Sequence, residues 1–539
     1  KFFSIITYSG NGVAGREISH GLNGPVGMMV VKQTSGTTGW ATWHRSANSG
    51  NAYLELNEVD AQNTNGKYYW GNNTNYIAPT STEFTVATDS VVNANGQTYV
   101  AYLFADNSSE DAADQMIKCG SFVADGAGKS TVSLGWEPQF VLVKRSDGAD
   151  NWLILDSMRG WPTGIADAQL YPNLTAAEAD GERGNPTADG FYYINTPSAT
   201  YIYMAIRAPM MVEPEVATDV YHANTYTGNA TANTTVAGSF GFPPDLMLVS
   251  SLDAASNSWS TYAQMMIPRM LGAKLLATSS AGSESQGWEE YYAFDVPNNQ
   301  GWGLYGNQSQ TDYLNSTTPW VASAFKRAKG YMDVVAYSGN GASGRGVNHS
   351  LSVIPEMVWV KARSTAENWN VLVPSIISGN TGRLTLNESG AAEASVQHYF
   401  GNGTNYVAPT STQFTVASGT STNSASHTYV AYLFSTLAGI SKVGSYTGNG
   451  SSQTISCGFS AGSRFILIKR TDATGDWYVW DSARGIVAGN DPHLSLNTSD
   501  AQVTTDDSVD PHNSGFIVNQ VSATNINVSS GTYIFYAIA

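Results

Sequence analysis

One short phrase returns five times in this chain, and that recurrence limits the fold more than any other feature. Thr7 to Gly12 reads TYSGNG, and related text opens at Ser121 (SFVADG), Thr225 (TYTGNA), Ala336 (AYSGNG) and Ser445 (SYTGNG). The copies stand about 105–115 residues apart, too far for one coil of a solenoid and suited to complete domains. Five such units fill the 539 residues.

Each unit repeats the same order of features. An apolar run ends on Lys32, Lys144, Lys361 and Lys469, with Ser250 at that place in the third unit. A polar turn follows, then Trp40, Trp152, Trp259, Trp369 or Trp477, which reads as strand, turn, strand with a fixed aromatic. The tryptophans are expected inside their own domains. The lysines are expected as strand-end charges that reach water or guard a sheet edge. A leucine and an asparagine come next: Leu54 and Asn57, Leu170 and Asn173, Leu384 and Asn387, Leu494 and Asn497. The third unit departs, with Leu275 and Thr278.

Each unit closes on an apolar strand, such as TYVAYLF from Thr98 and Thr428, or TYIYMAI from Thr200. A strand with one wet face alternates apolar with polar. These are apolar on both faces, so both faces are expected to be covered. The cover is sought in loops, the next domain or another chain.

The first and fourth units share the text around APTST, the second and fifth share DSMRG and DSARG, and the third stands apart. The order is A-B-C-A-B. No helical pattern of a dozen residues appears. The expected fold is all-β: five tandem β-sandwiches of jelly-roll or concanavalin-like type. Their expected bounds are 1–106, 116–208, 218–328, 331–435 and 440–539.

Composition narrows the function. Charged residues make up 13% of the chain, against about 25% in ordinary soluble proteins, and the net charge is −17. That argues against nucleic-acid binding, which needs Lys and Arg to neutralise phosphates. No run approaches the ~20 apolar residues of a membrane span, so no membrane insertion is expected. Two distant cysteines, Cys119 and Cys457, make no disulfide framework and read as small buried hydrophobes. The chain opens on Lys1 rather than Met, as a processed or partial product would.

The search for chemistry finds little. No Gly-x-Ser-x-Gly elbow is present, and GNGVAGRE from Gly10 lacks the Gly-Lys-Ser/Thr ending of a phosphate loop. His20 and His349 occupy matching turns with no second histidine at metal spacing. Asp156 with Arg159, and Asp481 with Arg484, read as ion pairs that lock a turn. Together with Trp152 and Trp477 they form the structural signature of the B units. The acidic run from Thr504 to His512 lacks the calcium-loop pattern. No catalytic residue, cofactor or metal is expected. Tyr69 and Trp70, with Tyr399 and Phe400 at the matching place, are candidates for stacking on sugar rings or for contact between domains.

The whole constellation runs from Tyr-Thr/Ser-Gly-Asn-Gly through strand-lysine, tryptophan, Asp-Ser-x-Arg-Gly and APTST to the closing strand. It resembles a repeated domain of unknown function found in virion structural proteins of tailed bacteriophages, especially marine ones. The resemblance covers four of the five units. It implies a tail fibre or surface appendage on the virion surface, with other virion proteins as partners and no activity. Two alternatives stand beside it: an adhesin that binds host-surface glycans, and a tail-associated glycan hydrolase. The doubly apolar closing strands suggest a homo-oligomer, with a trimer as first expectation.

Overall fold

The computed structural model describes residues 2–107, 115–124, 128–157, 161, 167–194, 198–208, 211–228, 234–236, 240–253, 264–271, 275–284, 293–294, 302–305 and 317–539. The chain forms two compact units, Lys1–Pro209 and Met210–Ala539. Nearly all regular structure is antiparallel sheet.

The first repeat sets the plan. Its strands are β1 (Phe3–Ser9), β2 (Arg16–Ser19), β3 (Val26–Gln33), β4 (Trp40–His44), β5 (Leu54–Glu55), β6 (Glu83–Val86) and β7 (Thr98–Ala105). The main sheet runs β1-β7-β3-β4-β5, and β2 pairs with β6 in a second layer. Ile18, Phe84 and Val86 from the small layer pack with Met29, Val31, Tyr99 and Leu103 from the main sheet, closing a sandwich.

The main-sheet order recurs in every repeat. In the second, Ile117–Ala124, Ala199–Arg207, Pro138–Arg145 and Trp152–Asp156 lie side by side, and Leu170 bridges to Ile154 in place of a fifth strand. The third has Tyr221–Thr227, Pro319–Phe325, Leu246–Ser251, Gln264–Pro268 and Leu276–Ala277. The fourth has Met332–Ser338, Thr428–Phe434, Met357–Ala362, Asn370–Leu372 and Thr381–Thr385, extended by Glu393–Ala394. The fifth has Ser441–Thr447, Thr532–Ile538, Phe465–Arg470, Trp477–Asp481 and Leu494–Ser495.

The opening phrase now has a physical meaning. Its tyrosine stacks on the first tyrosine of the closing strand: Tyr8 on Tyr99 at 5.1 Å, Tyr337 on Tyr429 at 5.1 Å, and Tyr446 on Tyr533 at 4.8 Å. The last glycine turns the chain with φ of 68°, 72° and 76° at Gly12, Gly341 and Gly450, a left-handed conformation that favours glycine. The Gly10 text is thus a turn that carries the chain from the main sheet to the second layer.

In the second unit the closing strands are covered on both faces by the same chain. In the fifth repeat, Tyr533, Phe535 and Ala537 enter its own core. Ile534, Tyr536 and Ile538 point the other way, into a core shared by the third, fourth and fifth repeats. That shared core brings Tyr221 to 5.6 Å from Phe465, and Phe434 to 5.0 Å from Tyr536. In the first unit, Met28, Val30 and Leu54 of the first repeat meet Ile117, Leu142, Ile202 and Met204 of the second. Burying one large apolar side chain is worth about 1.5–3 kcal/mol, so sheet-on-sheet stacking accounts for the doubly apolar sequence. It also removes the premise on which a homotrimer was expected for the second unit.

Candidate interdomain interface

The side chains that recur most faithfully converge where one sandwich meets the next. Trp152, Trp369 and Trp477 are almost fully buried. Each indole Nε1 donates to a carbonyl of the preceding repeat: Trp152 to Glu55 at 3.0 Å, Trp369 to Ala277 at 2.9 Å, and Trp477 to Thr385 at 2.9 Å. The expectation of tryptophans inside their own domains is corrected here. A buried indole needs an acceptor, and the neighbouring sheet supplies it.

The Leu-x-x-Asn asparagine sets each tryptophan in place. The backbone N–H of Trp40, Trp152, Trp369 and Trp477 donates to Oδ1 of Asn57, Asn173, Asn387 and Asn497, at 2.7, 3.0, 2.8 and 2.8 Å.

The lysines also depart from expectation. Lys144, Lys361 and Lys469 are at most 1% exposed. Each ammonium donates to a carbonyl six residues on, at Asp150, Glu367 or Gly475. Each also donates to the preceding repeat: Lys144 to Val59 at 2.8 Å, Lys361 to Ala281 at 3.0 Å, and Lys469 to Ser389 at 2.8 Å. A snorkelling lysine would leave its head in water. Each of these aims two of its three donors at fixed carbonyls, which offsets the cost of burying the charge. Burial lowers each pKa to about 8, and nearby Asp150, Glu367 and Asp476 respectively oppose that fall.

A backbone bond completes the junction. The N–H eight residues after the strand leucine reaches the carbonyl two residues after the lysine: Gln62 to Ser146 at 2.9 Å, Glu284 to Arg363 at 2.9 Å, and Ala392 to Thr471 at 2.8 Å. The same bond joins Gln502 to Leu252 at 3.0 Å, between the fifth and third repeats. There Ser250 stands in place of lysine, and Thr278 Oγ1 donates to the Leu496 carbonyl at 2.7 Å. The second unit is therefore a closed ring of three sandwiches: fourth on third, fifth on fourth, third on fifth.

The remaining candidates sit elsewhere. Tyr69, Trp70 and Phe400 are no more than 5% exposed. Tyr69 and Trp70 belong to the first repeat's own core, where Tyr69 stacks on Tyr53 at 3.8 Å. Tyr399 is half-buried under the Arg383 guanidinium, 4.2 Å from its ring. Tyr69, Trp70 and Phe400 therefore present no open ring face for a sugar, and Tyr69 and Trp70 do not join domains. Asp481 and Arg484 form a buried pair, Oδ2 to Nε 2.6 Å, with Asp481 Oδ1 accepting from the N–H groups of Ala483 and Arg484. Asp156 is described, but Arg159 lies outside the described residues, as does Trp259. Both cysteines are buried and unpaired with each other.

Hydrolysis of a glycosidic bond takes two carboxylates across one cleft. A cleft of about 650 Å3 between the fourth and fifth repeats is lined by a single carboxylate, Glu356, whose Oε2 already accepts from Thr436 N at 2.6 Å. Among the described residues, no three His, Cys, Asp or Glu side chains gather as a metal site, and no helix is long and apolar enough to cross a membrane.

The family model of a domain of unknown function (DUF7483) matches residues 2–209 and 316–539. Each match covers an A repeat with the B repeat that follows it, and most of the third repeat falls between them. No curated protein matches the chain.

Proposed function

We propose, from the premise that this chain belongs to the DUF7483 family, that it is a structural, non-catalytic component of a phage virion: a tail fibre or surface appendage. The observation that carries the structural part is the use made of the recurring polar residues. Lysine, tryptophan and asparagine recur at fixed places: lysine and tryptophan fix one sandwich to another, and the asparagine holds that tryptophan in position from within its own repeat. A catalytic or binding protein keeps such residues open to its ligand. The virion part rests on the sequence resemblance to tailed-phage structural proteins. An acidic, weakly charged surface suits a particle exposed to host polymers, because it limits non-specific adhesion.

Antibodies raised against the full chain test the reading on purified particles of the virus that encodes it. Regular decoration at one place on the particle is expected. A chain confined to the infected-cell lysate, absent from particles, overturns it. Release of reducing ends from host polysaccharide by the purified chain would overturn the non-catalytic part.

A further inference from the structure

The first unit repeats one junction of the second, but only one. Trp152 and Lys144 engage Glu55 and Val59 as Trp477 and Lys469 engage Thr385 and Ser389. In the second unit three such junctions close a ring. In the first, two sandwiches occupy two places, and the third place is open.

The open place has matched edges on both sides. Register pairs Ile5 with Tyr102 and Val334 with Tyr432, so Ile5 stands where Val334 stands. Val334 is 1% exposed and Ile5 is 56% exposed. By the same register Phe3 matches Met332: 40% exposed against 0%. On the second repeat, Phe140 and Ile206 are half-buried, while their counterparts Phe465 and Ile538 are buried.

The polar groups show the same vacancy. Lys32 donates to Thr38, six residues on, as the other three lysines do to their own loops. Each of the others has a second acceptor in a neighbouring repeat. Among the described residues Lys32 has none, and the half-buried Trp40 indole has no acceptor, whereas its counterpart Trp369 is buried and bonded to Ala277. An indole or ammonium that becomes buried finds an acceptor, and these two stand where their counterparts reach one across a junction, with none among the described residues of this unit.

We propose that the first unit is a receptor for one further sandwich of this same repeat class. Its outer sheet face covers Phe3, Ile5, Phe140 and Ile206, a carbonyl of the last strand of its main sheet takes the Trp40 donor, and a carbonyl of the loop after that strand takes Lys32. The Tyr171 carbonyl, at the place of Glu55 and Thr385, accepts that sandwich's own tryptophan. A second copy of this chain does not fit: its third repeat is already closed into a ring, and its first unit offers two sandwiches for a place that holds one. The proposal stands independently of virion location.

The test uses the full chain with Ile5→Cys, in which the native cysteines are buried, and the third repeat of this chain as the stand-in partner. An extra copy of residues 210–330 is joined ahead of Lys1 in one chain and inserted after Pro209 in another. Maleimide labels the Ile5→Cys thiol rapidly in the unextended chain, and labelling is expected to slow at least ten-fold in one or both extended chains. The Val334→Cys variant is the protected reference. Unchanged labelling in both extended chains overturns the proposal. So does equal protection by an unrelated β-sandwich of the same size. Protection in the unextended chain, with a sedimenting dimer that Ile5→Arg dissolves, also overturns it, because the occupant is then a second copy.

Discussion

The indole of Trp477 donates to the carbonyl of Thr385, 2.9 Å away and 92 residues earlier in the chain. One side chain therefore belongs to the stability of two sandwiches. Trp477→Ala is expected to cost about 3–5 kcal/mol, as large-to-small core changes do. Trp477→Phe keeps most of the apolar area and loses the bond, for about 1–2 kcal/mol. Denaturant unfolding gives the magnitude. Hydrogen exchange gives the location: amides near Thr385 in the fourth repeat should speed up along with those of the fifth. Faster exchange confined to the fifth repeat would contradict a shared role.

The buried lysines make an alkaline prediction. Lys144, Lys361 and Lys469 have folded pKa values near 8, against an ordinary value of 10.5. Between those values the unfolded chain binds more protons than the folded one, so stability rises with pH. Above pH 10 the buried tyrosines reverse the sign, because Tyr337, Tyr446 and others are held protonated by burial. The thermal midpoint is expected to rise from pH 8 to 10 and fall beyond it. In Lys469→Met the rise should shrink. A midpoint that falls steadily from pH 8 counts against buried ammonium groups.

His44 gives an acid counterpart confined to the first unit. Its Nε2 lies 3.0 Å from the Tyr203 carbonyl of the second repeat, and burial lowers its pKa from 6.5 to about 4. Between those values the unfolded chain again binds more protons, so the contribution is present above pH 6.5 and lost as pH falls towards 4. Amides of the first unit at the His44 contact should lose exchange protection over that range. His44→Gln should flatten the dependence there and leave the second unit's acid profile unaltered.

Asp481→Asn leaves the Arg484 guanidinium buried without its carboxylate. Breaking a buried pair from one side costs about 3–5 kcal/mol. The loss should appear in chemical unfolding of the second unit, and Asp481→Asn with Arg484→Met should recover part of it. A wild-type midpoint for Asp481→Asn would show that the pair contributes nothing.

Much of the fold was legible because the repeat supplies several readings of one structure. The two-faced closing strands predicted cover on both sides, and Tyr432 and Tyr536 show the cover to be a neighbouring sheet. The tryptophan and lysine were visible as recurrent residues, yet their partners were not. Glu55, Thr385, Val59 and Ser389 contribute backbone carbonyls, which leave no mark in side-chain text. The signal that was available is the lysine itself. A strand-end charge facing water has no need to recur at one place, whereas an ammonium fitted to two fixed carbonyls, as those of Lys144, Lys361 and Lys469 are, does. Tyr69 and Trp70 failed as exposed candidates because their polar flanks, Lys67 and Asn72, suggested a wet loop. The chain folds that loop back so the rings enter the core.

The bond from Thr278 to Leu496 has a mechanical consequence. Of the three contacts in the ring, those between third and fourth repeats and between fourth and fifth are each backed by a short covalent connection. The contact between the third and fifth has no such tether and no lysine. Tension applied to the two ends of the second unit is therefore expected to part that contact first. The three sandwiches would swing into line before any of them unravels. A pulled chain should lengthen in one early step, at a force below that which unfolds a single sandwich. On relaxation the step should reverse, since nothing but side-chain and backbone contacts has been broken.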